Sequence, residues 1–292
     1  MVDLKLIQTE TSDGFKLDGC FLDPQNSNSS DIDALLLVHG TTGNFYSGSM
    51  ISILGKYFSK NGYPVAVFNT RGHDVVSQGS PNFPEDFGGT AFEILNDCLL
   101  DLDSMINWLK EKKFRKICLV GSSMGAVKVI YYQAFRNNFS VNSVVAISPV
   151  RLSKNYYLNS QASFHYKKYL KIANDLVDSG LGNQLINIKE EIVPGAGLFS
   201  AEAYLDKYGG ERYDIVKYVD KIESNLLIMA GTNETHPRLK DVAFDLYNRG
   251  IEANKKIDLV LVPDGEHGLH SMDQKLPESI DTWLRKINLP QI

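Results

Sequence analysis

The sequence predicts an α/β fold: a mostly parallel central sheet with helices on both faces, carrying a helical cap insertion. Three observations predict it. Short, almost wholly apolar runs such as Ala34 to Val38 have the composition of strands buried on both faces. These runs alternate with segments of helical periodicity, the rhythm of a parallel sheet with covering helices. The rhythm is interrupted once, between Val150 and Ser224, where eight of the fourteen tyrosines gather and no comparable strand occurs.

The elements follow in order. Leu4 to Glu10 and Phe15 to Leu22 alternate apolar and polar residues around Asp13-Gly14, a dipeptide suited to a tight hairpin turn. A polar loop, Pro24 to Asp31, leads to the strand Ala34 to Val38, which ends at His39-Gly40. Next come a helix over Ser49 to Lys60, a strand Pro64 to Asn69 and a long loop from Arg71 to Gly89. Thr90 and Glu93 have capping-box spacing, and Phe92, Leu95, Leu99, Leu102, Ile106 and Leu109 continue at helical intervals. Arg115 to Val120 is the next buried strand, Met124 to Asn137 the next helix and Val141 to Ile147 another strand, closed by Ser148-Pro149. Within the interruption, Tyr166, Tyr169, Leu170, Ala173, Leu176 and Val177 form a helical apolar stripe, with Lys167, Lys168, Lys171 and Asp175 off it. Alternation then resumes with the strand Leu226 to Ala230, the helix Leu239 to Arg249, the strand Ile257 to Val262 and a last helix through Leu276, Ile280, Trp283, Leu284 and Ile287. The expected organisation is a core of residues 1–149 and 225–292 with residues 150–224 inserted as a cap.

A chain of 292 residues, 43% hydrophobic, can bury one large core. A net charge of −5 with both signs interleaved gives no electrostatic reason to bind nucleic acid. The start, Met1-Val2-Asp3-Leu4-Lys5, lacks an export signal, and no apolar run is long enough for a membrane span. Cys20, Cys98 and Cys118 lack metal-ligand spacing and cannot make a complete disulfide framework, so reduced thiols in a cytoplasmic protein are expected. With no metal site or nucleotide-binding glycine pattern, the sequence calls for no cofactor and no metal.

The chemistry centres on Gly121-Ser122-Ser123-Met124-Gly125, set between a buried strand and a helix. A nucleophile on so sharp a turn holds strained backbone angles, and side chains two positions either side would meet neighbouring backbone. Gly121 and Gly125 occupy those places around Ser123, whereas Ser122 lacks glycines at these offsets. A serine needs a base, and the base needs an orienting carboxylate. His267, in the loop after the last strand, is the expected base, with His270 as its rival. Glu234, in the loop after the preceding strand, is the expected acid, with Asp264 in reserve, and the order Ser, acid, His is that of a strand-turn-helix nucleophile. The His39-Gly40-Thr41-Thr42-Gly43 loop is expected to offer an oxyanion donor, from Thr41 or equally Thr42, alongside the backbone N–H of Met124.

These motifs in this order resemble the α/β-hydrolase superfamily. The matching pieces are Thr11-Ser12-Asp13-Gly14, His39-Gly40, Asn69-Thr70-Arg71-Gly72-His73-Asp74, the turn around Ser123, Gly231 to Glu234, and Glu266-His267-Gly268. The resemblance implies a serine hydrolase with an inserted cap, and a structural role for the Arg71-Gly72-His73 region. A serine at position 123 argues against the branches whose nucleophile is a carboxylate. The expected reaction is hydrolysis of a carboxylic ester or related acyl bond of a small to medium organic substrate through an acyl-enzyme. Thr42, Tyr156, Tyr157, Phe164, Tyr166 and Tyr169 are candidates to line the substrate pocket. Acyl transfer, thioester, peptide or carbon–carbon cleavage, and a low-turnover ligand receptor, are the alternatives.

Overall fold

The computed structural model describes residues 4–27, 30–48, 50–79, 87–190, 192–195, 197–234, 237–269 and 275–287. Met1 to Asp3, Ser49 at the expected helix start, residues 80–86 of the long loop, Thr235, His236 and His270 lie outside them. The chain opens with β1 (Leu4–Glu10) and β2 (Lys16–Leu22), an antiparallel hairpin turning at Gly14, whose φ is +86°. Then come β3 (Ala34–Val38), π-type turns over Met50–Gly55, α1 (Lys56–Lys60) and β4 (Val65–Phe68). The loop after β4 holds a two-residue ladder, β5 (Ser77–Gln78) with β6 (Phe87–Gly88). Beyond it lie α2 (Cys98–Glu111), β7 (Ile117–Ser122), α3 (Met124–Arg136) and β8 (Val141–Ile147).

The interruption contains α4 (Lys154–Leu158), α5 (Ser163–Asp178), a hairpin of β9 (Leu185–Ile188) and β10 (Gly197–Ser200), and α6 (Ala201–Tyr208). The hairpin was not legible as strands because each is four residues long and half of its residues are exposed. The chain closes with β11 (Asn225–Gly231), α7 (Pro237–Glu252), β12 (Ile257–Val262) and α8 (Lys275–Ile287).

Eight strands form one sheet in the order β1-β2-β4-β3-β7-β8-β11-β12. The six strands from β4 to β12 are parallel, and β2 runs against both neighbours. Successive residues of β3 point to opposite faces, as the two-residue period of a strand requires. Leu36 joins Leu119, Ile228, Leu102, Met105, Ile130 and Leu246 under α2, α3 and α7, while Leu35 and Leu37 join Phe58, Ile280 and Leu284 under α1 and α8. Helices therefore cover both faces, and loops at the strands' carboxyl ends collect along one edge.

One expectation fails at the entrance to α2. Ile94 is extended, at φ −83° and ψ 113°, so helical structure starts only with a 3₁₀ turn at Leu95–Asp97. Thr90 and Glu93 consequently form no capping box. Thr90 Oγ1 donates to the Gly72 carbonyl at 2.9 Å, and Glu93 turns inward onto two buried lysines, Lys128 and Lys207. Local spacing imitated a cap while the interior had a stronger use for the carboxylate.

Candidate active site

Ser123 occupies the turn between β7 and α3 with φ +57° and ψ −117°. A non-glycine residue held there costs about 1–3 kcal/mol, so the surroundings must fix it. They do so by contact. A Cβ on Gly121 would lie 2.2 Å from the Gly125 carbonyl oxygen, and one on Gly125 would lie 2.2 Å from that of Val38. The Ser123 N–H donates to the Ile147 carbonyl at 2.9 Å, tying the turn to β8.

The loops after β11 and β12 are locked to each other. Asn233 N–H donates to the Gly265 carbonyl at 2.9 Å, Thr232 N–H to that of Val262 at 3.0 Å, and a Cβ on Gly231 would lie 2.0 Å from the Gly265 oxygen. From these loops His267 and Glu234 face one another. Ser123 Oγ lies 3.0 Å from His267 Nε2, and Glu234 Oε2 lies 3.4 Å from His267 Nδ1. With its proton on Nδ1, the ring donates to the carboxylate and accepts from the serine. The Glu234 carboxylate is fully enclosed, and its other oxygen accepts from Gly231 N–H at 3.4 Å. Asp264 is exposed, with φ +58°, and its main-chain N–H donates to Thr232 Oγ1. The sequence reading passed over Ser148, whose Oγ accepts from Gly268 N–H at 3.0 Å and steadies the histidine loop.

The loop after β3 packs onto the serine turn. A Cβ on Gly40 would lie 3.0 Å from Ser123 Cβ and 3.6 Å from Met124 N, so the Gly40–Thr41 backbone stands beside the start of α3. Thr42, at φ +57°, spends its N–H on Thr90 Oγ1 at 2.8 Å, which favours Thr41 as the loop's donor toward the serine. His39 is buried and braces this loop. Nε2 accepts from Thr70 N–H at 3.0 Å, so Nδ1 carries the proton and donates to the Gly40 carbonyl at 2.9 Å. Burial, then the neighbouring Lys128 charge, push its pKa down to about 3, so the ring is neutral at physiological pH. In the segment after β4, Asn69 accepts from Phe45 N–H, Arg71 pairs with Asp101 at 2.8 Å, and Asp74 accepts from Asn44 and Tyr46.

A cleft of about 260 Å³ opens on the serine, lined among others by Thr41, Asn44, Ser47, Ser123, His267 and Gly268. The five aromatic residues expected from the insertion are not among its lining, and their contacts explain why. Tyr157 donates to the Arg151 carbonyl at 2.7 Å, Tyr166 to that of Tyr208, Tyr169 to Glu190 and Tyr156 to Asp241, while Phe164 is 77% exposed. The four tyrosines thus tie residues 150–224 to one another and, through Tyr156, to α7. Thr42 is likewise absent from the lining.

Among the described residues, no cluster of three or more His, Cys, Asp or Glu is placed to hold a metal ion, and no helix is long and apolar enough to cross a membrane.

The sequence profile of the alpha/beta hydrolase fold matches residues 33–186, more than half of the 292 residues. That span includes Ser123 and stops before Glu234 and His267. No curated protein sequence matches the chain. Among solved structures, an esterase of Pyrococcus furiosus is 22% identical with a TM-score of 0.63, over 98% of this chain and 89% of that one. A protein of Butyrivibrio proteoclasticus with ferulic acid bound is 15% identical at a TM-score of 0.63, over 96% and 97%. An alpha/beta hydrolase of a Penicillium species is 14% identical at a TM-score of 0.71, over 97% and 96%. At these identities the likeness is one of fold.

Proposed function

The chain belongs to the α/β-hydrolase family, and from that premise we propose that it is a serine hydrolase that cleaves a carboxylic ester of a small to medium organic molecule. The observation that carries this reading is the 3.0 Å separation of Ser123 Oγ from His267 Nε2, with the serine on a backbone of positive φ. In the first half-reaction His267 takes the hydroxyl proton as Ser123 attacks the carbonyl carbon. The negative oxygen is received by the main-chain N–H groups of Thr41 and Met124, donors worth about 3 kcal/mol each in comparable sites. His267 then protonates the leaving alcohol. In the second half it deprotonates water, which releases the acid and restores Ser123. Glu234 stays ionised throughout and holds the ring in the Nδ1–H tautomer.

Residues 150–224 are the cap in this reading, with residues 1–149 and 225–292 as the hydrolase core. The esterase among the structural neighbours supports the choice of an ester over other acyl bonds. The three buried, unpaired cysteines suit a reducing compartment such as the cytoplasm. Hydrolysis of p-nitrophenyl esters of graded acyl length tests the proposal. A cleft of about 260 Å³ favours short acyl groups. Turnover should fall as the chain lengthens and vanish in Ser123→Ala, and equal turnover in that variant would refute the mechanism.

A further inference from the structure

Behind the Ser123 turn lies a fully enclosed cluster of charge that the ester chemistry does not use directly. Glu93 accepts from Lys128 Nζ at 2.5 Å and pairs with Lys207 Nζ at 3.0 Å, and none of the three side chains is more than 3% exposed. Two ammonium groups share one carboxylate, which leaves positive charge in the interior. Lys207 spends its remaining reach on the Thr90 carbonyl, at 2.9 Å. Lys128 points the other way, toward the site, and donates to Thr70 Oγ1 at 2.9 Å.

From Lys128 the contacts form a directed chain. Thr70 Oγ1, having accepted from the ammonium, lies 3.2 Å from His39 Nε2 and donates to it together with the Thr70 N–H. The His39 ring then donates from Nδ1 to the Gly40 carbonyl at 2.9 Å. That carbonyl and the Thr41 N–H are the two ends of one peptide group. Withdrawing electron density at the oxygen makes the N–H at the other end a stronger donor, and bonds arranged head to tail in a low dielectric reinforce one another. Thr70 and His39 are buried, so water does not compete for the links.

We propose that Lys128 and Thr70 are positioning residues for the oxyanion donor: the buried ammonium orients and polarises the Gly40–Thr41 peptide through Thr70 and His39. The inference rests on the serine-hydrolase reading for its catalytic consequence, though the relay itself is a matter of hydrogen bonding. Thr70→Val keeps the shape of the side chain and removes the hydroxyl link. Lys128→Met removes the ammonium and leaves Glu93 and Lys207 as a one-to-one pair, whereas Thr70→Val keeps Lys128 on Glu93. Thr70→Ser restores the link.

The experiment measures kcat and KM on a p-nitrophenyl ester, and the ¹⁵N resonance of the Thr41 amide in threonine-labelled protein. Thr70→Val and Lys128→Met should each lower kcat about tenfold, a fraction of the loss on deleting an oxyanion donor outright, with KM held within about twofold. In both, the Thr41 ¹⁵N resonance should move upfield, and in Thr70→Ser both readouts should return to wild type. An unmoved Thr41 resonance in the folded variants, or an equal loss of kcat in Thr70→Ser, overturns the relay. Wild-type protein without Ser123-dependent turnover would sink the hydrolase reading instead, and the Thr41 resonance would still decide the relay.

Discussion

At Gly121 and Gly125 a single methyl group decides whether the Ser123 turn can form, because each Cβ would stand 2.2 Å from a main-chain oxygen. Replacing either with alanine should destabilise the protein by about 3 kcal/mol, read as a lower urea midpoint at unchanged slope. The carboxylate facing His267 allows a second test. Glu234→Gln keeps an acceptor for Gly231 N–H yet cannot stabilise an imidazolium, so kcat should fall by about two to four orders of magnitude. Asp264→Asn, at an exposed position, should stay within about twofold. Positions 121, 123, 125 and 267 were legible in the sequence because sharp turns and strand ends restrict which residues can occupy them. Lys128 was not. It lies on α3 between Val127 and Val129, and periodicity assigns it to the interior without saying what compensates its charge. A lysine with no polar face to reach is itself the signal, but its partners, Glu93 and Lys207, are distant in sequence.

At the scale of elements, Glu93 fastens the segment before α2 to α3 and to α6 of the insertion. Burial alone would raise the Glu93 carboxyl, but Lys128 and Lys207 outweigh it and hold the pKa down at about 2. Glu93→Gln strands two buried ammonium groups and should cost about 3–5 kcal/mol in chemical denaturation, whereas Lys128→Met, which leaves one pair intact, should cost less. His39 makes the linkage of loops pH-dependent. Its folded pKa of about 3 lies below the ordinary 6.5. The unfolded chain therefore binds the proton first, and stability drains away as pH falls from 6.5 toward 3. Urea midpoints measured across that window should decline more steeply for wild type than for His39→Gln. The strands were legible wherever burial on both faces made them apolar, as in β3 and β8. The hairpin β9–β10 and the false capping box at Thr90 were not, since short half-exposed strands and local spacing carry too little information about tertiary partners.

Across the whole molecule, the parallel sheet brings four loops distant in sequence to one edge, and residues 150–224 are fastened to the segment that follows β4. Lys207 reaches Thr90, Asp206 accepts from Leu95 N–H at 2.7 Å, and Ser200 N–H donates to the Ala91 carbonyl at 2.7 Å. The tyrosine-rich composition of residues 150–224 did not reveal what its phenols contact, because a buried phenol that packs and one that binds ligand look alike in sequence. Cys20, Cys98 and Cys118 are all buried, and burial lifts the thiol pKa of Cys20 and Cys118 to about 12. A chromogenic disulfide should thus find no reactive thiol in the native protein and three after denaturation, making thiol exchange a reporter of global opening. The most direct test of the central claim is mass-spectrometric mapping of the adduct formed with a fluorophosphonate. The account predicts one phosphonyl group, on the peptide containing Ser123, formed rapidly by wild type and far more slowly by His267→Ala. Modification at another residue, or labelling of Ser123 at the same rate without the histidine, would contradict it.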